Sequence, residues 1–198
     1  MRIILSDFMS LDGVVQAPGG KTEDQDGGFE HGGWSNPYFD AETMGPAIEE
    51  VMADTEALLF GRRTWQTMAA AWPDRAGDPF ADRMNALPKY VASRTLTQAD
   101  LTWSNSTLLS AEDAIGAVRE LRARDGGAVQ MWGSASLAAQ LVEHDLVDEY
   151  RLAVYPLVLG TGKKLFSDGF ALARLTLVET RALRSGVLVN TYRRSDAG

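Results

Sequence analysis

Apolar residues along this chain recur with two different periods, in alternation, and the alternation predicts the architecture. Arg2 to Met9 is a short apolar run and reads as a first strand. Ser10 to Asn36 breaks the pattern with Pro18-Gly19-Gly20, Gly27-Gly28 and Gly32-Gly33, so a long loop is expected there. Loops of that length in compact domains are usually functional or mobile. Asp40 to Ala53 returns to helical spacing, with Met44, Ala47, Ile48 and Val51 on one face. Glu56 to Phe60 reads as a buried strand that stops at Gly61, followed by a short helix from about Thr64 that Pro73 ends. A helix over Pro79 to Ala86 precedes a strand over Lys89 to Ser93. Then come a helix over Ala111 to Arg124, a strand over Ala128 to Trp132, a helix over Ser134 to Glu143 and a strand over Leu146 to Val154. Arg174 to Ala182 and Val187 to Arg193, joined at Arg184-Ser185-Gly186, read as a closing antiparallel hairpin.

Strands alternating with helices predict an α/β domain: a mixed, mostly parallel central sheet, helices on both faces, and the C-terminal hairpin at its end. No repeat, low-complexity tract or linker interrupts the 198 residues, so one domain is expected. The absence of cysteine excludes disulfides, thiolate metal sites and a cysteine nucleophile, and two histidines are too few for a histidine-rich metal cluster. A formal net charge of -8 argues against a general nucleic-acid binder and requires a local cationic pocket for any bound anion. The chain turns polar at Ser6-Asp7, too early for a secretion signal, and carries no run of membrane-spanning length. A cytoplasmic protein with a small-molecule substrate is the expectation.

Three strand ends carry the candidate chemistry: Phe60-Gly61-Arg62-Arg63-Thr64, Ser93-Arg94 and Trp132-Gly133-Ser134-Ala135-Ser136. Ligands of open α/β sheets bind beyond the carboxyl ends of strands, and free N–H groups at a helix start favour phosphate. Gly61 and Gly133 allow close backbone approach, while Arg62, Arg63 and Arg94 supply positive charge. Singly, each motif also fits an ordinary turn. Together they suit a dinucleotide carrying an extra phosphate.

The order Ser10-Leu11-Asp12-Gly13, Phe60-Gly61-Arg62-Arg63-Thr64, Ser93-Arg94, Trp132-Gly133-Ser134 and Pro156-Leu157-Val158-Leu159-Gly160 resembles the dihydrofolate-reductase-like superfamily. Within it, the chain is most similar to the C-terminal reductase domain of bifunctional riboflavin-biosynthesis deaminase/reductases. The resemblance implies hydride transfer from NADPH to a heterocycle or sugar, without a metal, by a reductase like 5-amino-6-(5-phosphoribosylamino)uracil reductase. No deaminase domain precedes it in this chain, so a freestanding relative with a drifted substrate is expected. The resemblance further implies that Gly61, Arg62 and Thr64 form the cofactor-phosphate turn and that Ser93 and Arg94 read the 2′-phosphate. It implies that Gly133, Ser134, Ala135 and Ser136 form the pyrophosphate turn, and that Val14 and Val15 belong to a mobile loop over the nicotinamide. Relatives often place two glycines joined by a cis peptide in the pyrophosphate turn; Trp132 takes the first place here. A homodimer is implied as well.

Two departures separate the chain from true folate reductases. Gly45 falls where their helical acid belongs, and Leu87-Pro88 falls where their tail-binding arginine belongs. Two other acids are candidates for the proton donor. Asp40 joins the apolar stripe if its helix includes it, and is otherwise an N-cap. Asp12 follows the first strand beside the loop, and is otherwise a turn residue before Gly13. His31 on the loop and Lys163 in Gly160-Thr161-Gly162-Lys163-Lys164 are weaker candidates, for proton transfer and phosphate contact respectively. Dihydrofolate reduction and cofactor binding without turnover are the rival functions.

Overall fold

The computed structural model describes residues 1–75, 77–109, 112–166 and 172–195. Its strands are β1 (Arg2–Ser10), β2 (Thr55–Gly61), β3 (Lys89–Ala92), β4 (Ser106–Leu108), β5 (Ala128–Trp132), β6 (Glu149–Tyr155), β7 (Leu175–Ala182) and β8 (Leu188–Arg194). Its helices are α1 (Ala41–Ala53), α2 (Arg62–Ala71), α3 (Pro79–Ala86), α4 (Ala114–Ala123) and α5 (Ala135–Glu143). The strands form one sheet in the order β4-β3-β2-β5-β1-β6-β8-β7. All pairings from β4 across to β6 are parallel, and β8 runs antiparallel to both β6 and β7. The mixed sheet with its C-terminal hairpin is the architecture expected from the sequence pattern.

Strand β2 shows how the layers are made. Ala57 and Leu59 pack into a core with Val118 and Leu121 of α4 and Leu137, Ala138 and Leu141 of α5. Leu58 and Phe60, pointing the other way, pack with Met52 of α1, Trp65 of α2 and Met84 of α3. The period-2 alternation of an extended chain thus feeds two cores, one on each side of the sheet.

Most boundaries shift for identifiable local reasons. Strand β3 ends at Ala92 because the Ser93 hydroxyl accepts from the N–H groups of Thr95 and Leu96, folding the chain into a turn. Strand β6 starts at Glu149, not Leu146, because Asp148 turns to accept from Ile3 N and to pair with Arg122. Helix α4 begins after Asp113, whose carboxylate caps it through Gly116 N; the expected start at Ala111 lies outside the described residues. Strand β4 was not anticipated, since three residues carry no readable period.

The segment from Leu11 to Asp40 is better packed than its glycine content suggests. Val14, Val15, Ala17, Phe29 and Trp34 are buried, and Trp34 donates its indole N–H to Gln16 O at 2.7 Å. Val14 bridges to Lys164, and Gly162 (φ +120°) passes so close to Val14 and Phe29 that a Cβ there would meet them at 2.6 and 2.9 Å. Phe29 and Trp34 anchor the loop in a core of its own.

Candidate active site

One cleft of about 1220 Å³ opens beside the carboxyl ends of β1, β2, β3 and β5. Gly61, Arg62, Thr64, Ser93, Arg94, Gly133, Ser134, Ala135 and Ser136, from the three strand-end motifs, all line it. The motifs meet through one hydroxyl: Ser134 Oγ accepts from Gly61 N at 2.9 Å and donates to Thr64 Oγ1 at 2.9 Å. A Cβ on Gly61 would meet Ser134 Cβ at 3.3 Å, and one on Gly133 (φ +55°) would meet Thr64 Oγ1 at 3.3 Å. Small residues are thus required where the two turns touch. Neither α2, capped by Gly61, nor α5, capped by Ser134, has a side-chain cap, so both helices begin with unclaimed N–H groups. Two such N-termini beside Arg62 and Arg94 fit the phosphates of a dinucleotide. Arg94 is exposed, presented by the turn that Ser93 braces.

The other wall comes from β1, α1, β6 and the long loop, and contributes Ser6, Asp7, Phe8, Val15, Met44, Gly45, Ile48 and Arg151. Asp7 is the notable group. It is 6% exposed, and its Oδ2 has no hydrogen-bond partner. Burial raises its pKa to about 8, against the opposing pull of the Phe8 and Gly133 amides, and the charge of Glu23 adds to the rise. At neutral pH this carboxyl holds its proton, at the seam where the Gly133 turn meets the α1 wall.

Several expected site residues have other tasks. Asp12 does not line the cleft: it accepts from Ser10 Oγ, Leu159 N and Gly160 N, bracing β1 against the 159–160 turn. The Ser10 hydroxyl, with the two amides, lowers its pKa to about 2. A carboxylate held ionised cannot donate a proton near neutrality. Asp40 caps α1 rather than joining it, accepting from Glu42 N and Thr43 Oγ1, and stands outside the cleft lining. Val14 is wholly buried under Gly162, leaving Val15 as the cleft-facing member of that pair. His31 packs edge-on against Phe29, away from the cleft. Lys163 does line the cleft, but it is paired with Asp24 and Asp26. No cis peptide occurs among the described residues, Trp132–Gly133 included; Gly133 and Ser134 turn the chain through positive φ instead. Groups of acids or histidines able to hold a metal are absent among the described residues, as are helices long and apolar enough to cross a membrane.

Sequence reasoning passed over Asp7 because it stood inside an apolar strand. The available signal was the polar pair Ser6-Asp7 in a strand otherwise buried on both faces, where an acid has no ordinary structural use.

The sheet order, the antiparallel end and the cleft at the strand ends define a dihydrofolate-reductase-like fold. A family model described as the RibD C-terminal domain matches residues 1–189, and the chain belongs to that family. It is 28% identical over 200 residues to the uncharacterised protein YyaP of Bacillus subtilis (strain 168), covering 96% of this chain and 94% of that one. A putative riboflavin biosynthesis protein from Shewanella sp. PV-4 superposes with a TM-score of 0.70 at 18% identity, over 98% of this chain and 99% of that one. The diaminohydroxyphosphoribosylaminopyrimidine deaminase/5-amino-6-(5-phosphoribosylamino)uracil reductase of Thermotoga maritima gives 0.65 at 14%, over 98% of this chain and 56% of that one. Dihydrofolate reductase from Enterococcus faecalis, solved with NADP(H), gives 0.61 at 11%, over 98% and 97%.

Proposed function

We propose that this protein is an NADPH-dependent reductase that transfers a hydride to a small heterocyclic substrate, with Asp7 as the proton source. The reaction class is that of the reductase half of the Thermotoga protein. The observation that carries the reading is the buried Asp7 carboxyl, held protonated at neutral pH beside the turn that would carry the cofactor.

Gly61, Thr64 and Ser134 would hold the two helix N-termini toward the pyrophosphate of NADPH, and Arg62 and Arg94 would supply charge for its 2′-phosphate. NADPH, when bound, supplies the hydride. Reduction of a C=N bond also needs one proton, and Asp7 delivers it to the nitrogen. The carboxylate that remains is disfavoured by its burial and regains a proton from solvent. Val15 and Phe8, both cleft residues, exclude water from the reacting ring. Dihydrofolate reduction is a weaker reading, because Gly45 lines the cleft at the α1 position where the resemblance places the acid of folate reductases.

Oxidation of NADPH, followed by absorbance against a panel of oxidised pyrimidines, pterins and flavins, tests the proposal. Turnover with at least one of them, reduced at least a hundredfold in Asp7→Asn, is the expected result. Tight NADPH binding with no turnover across the panel would replace it with a binding-protein reading.

A further inference from the structure

The cleft also carries an ion-pair clasp that the reductase reading does not use. Lys163 Nζ meets Asp24 Oδ2 at 2.5 Å and Asp26 Oδ2 at 2.9 Å. Arg63, at the start of α2, pairs with the same two acids. All four residues line the cleft. The clasp is built from beneath by Gln16, which is 4% exposed. Its Nε2 donates to Asp24 O at 3.2 Å and Asp26 O at 3.1 Å, while its Oε1 accepts from Lys163 N at 2.9 Å. One buried amide thus fixes the acidic loop and the Lys163 loop against each other.

Other charged residues line the same cleft. Arg151 is held by Glu149 at 2.7 Å and by Val51 O at 3.1 Å. Glu23 accepts from Gly19 N and Gly20 N, and Glu49 is exposed along α1. Lys163, Arg63 and Arg151 thus each have a carboxylate partner. Arg75 also lines the cleft, exposed, with its guanidinium 4.6 Å over the Trp72 ring. A phosphorylated substrate would bring two negative charges beside Asp24, Asp26, Glu23 and Glu49, where Lys163, Arg63 and Arg151 are already committed to carboxylates.

Resting on the reductase reading above, we propose that the Asp24–Asp26–Arg63–Lys163 clasp makes this cleft select uncharged or cationic nitrogen heterocycles and reject their phosphorylated forms. The Asp7 carboxyl, unpartnered at Oδ2, offers a ring nitrogen a buried polar contact. The reaction class is shared with phosphoribosyl-pyrimidine reduction, and the substrate is not.

The test is a fluorescence titration of protein saturated with NADP⁺, using riboflavin and its 5′-phosphate as a pair that differs only in the phosphate. Riboflavin should bind at least fivefold more tightly, and the gap should narrow at high salt. Asp24→Asn with Asp26→Asn keeps the backbone carbonyls that Gln16 reads and frees both cations. That double variant should favour the phosphate form by tenfold or more relative to wild type. The remote pair Glu120→Gln and Glu143→Gln changes net charge equally and should leave the ratio unchanged, as should Arg75→Ala. Equal or tighter binding of the phosphate form by wild type, an unchanged ratio in the Asp24/Asp26 variant, or binding of neither flavin overturns the inference. The preceding NADP⁺ titration reports separately on the reductase reading, which falls if NADP⁺ does not bind.

Discussion

Replacing Asp7 by Asn should make this protein more stable, and by an amount that depends on pH. The folded carboxyl has its pKa raised from 3.8 to about 8 by burial. Between those values the unfolded chain releases a proton that the folded chain keeps. Stability therefore falls as pH rises through that window, by about 1.4 kcal/mol per pH unit. Near pH 7 the accumulated cost is about 4 kcal/mol, and it is about 1–2 kcal/mol at pH 5. Asparagine has nearly the same shape, can accept from the same amides and does not titrate, so Asp7→Asn removes the pH-dependent cost. Urea unfolding of both proteins from pH 5 to pH 8.5 measures it. The variant's advantage should grow steadily to about pH 8 and then level off. An advantage independent of pH, or a variant less stable throughout, would refute the claim that Asp7 is buried in its neutral form. Such a gain in stability alongside lost turnover is what a strained functional group produces.

Arg94→Ala should weaken NADPH binding about tenfold or more and leave NADH nearly unchanged, because a charge-assisted contact is worth ~1.5–3 kcal/mol; equal loss for both in calorimetric titration would move the 2′-phosphate elsewhere. Gly162→Ala should destabilise the fold by about 1–3 kcal/mol in urea unfolding, since its Cβ would overlap Val14 and Phe29 at a positive φ. A homodimer is also proposed, and light scattering at micromolar concentration should give twice the chain mass; a monomer removes that claim.

The parts of this molecule that sequence made legible are those governed by period and by glycine. Strand β5 and helix α3 fall on their predicted residues, because a buried run or an apolar stripe leaves few other solutions. Gly61 and Gly133 were readable as close-approach points, and the structure brings them together through Ser134. What was hidden depends on contacts between distant residues. Asp12 and Asp7 are both acids near the end of β1, five residues apart. Only the fold shows that the first is tied down by Leu159 and Gly160 and the second is sealed in without a partner. The packing of the loop was hidden for a related reason: Gly162, far along the chain, gives Phe29 a place to pack. The clasp was equally invisible, since Lys163 carries no local sign of Asp24 or Asp26.

The most direct test of the account is the pH dependence of single-turnover NADPH oxidation with the best substrate of the panel. The rate should be constant at low pH and fall tenfold per unit above about pH 8, as Asp7 loses its proton. In Asp7→Asn the rate should be at least a hundredfold lower at neutral pH and flat across the same range. A wild-type rate that stays level from pH 6 to pH 10, or an Asp7→Asn variant that keeps the wild-type rate, would contradict the assignment of Asp7 as the proton donor.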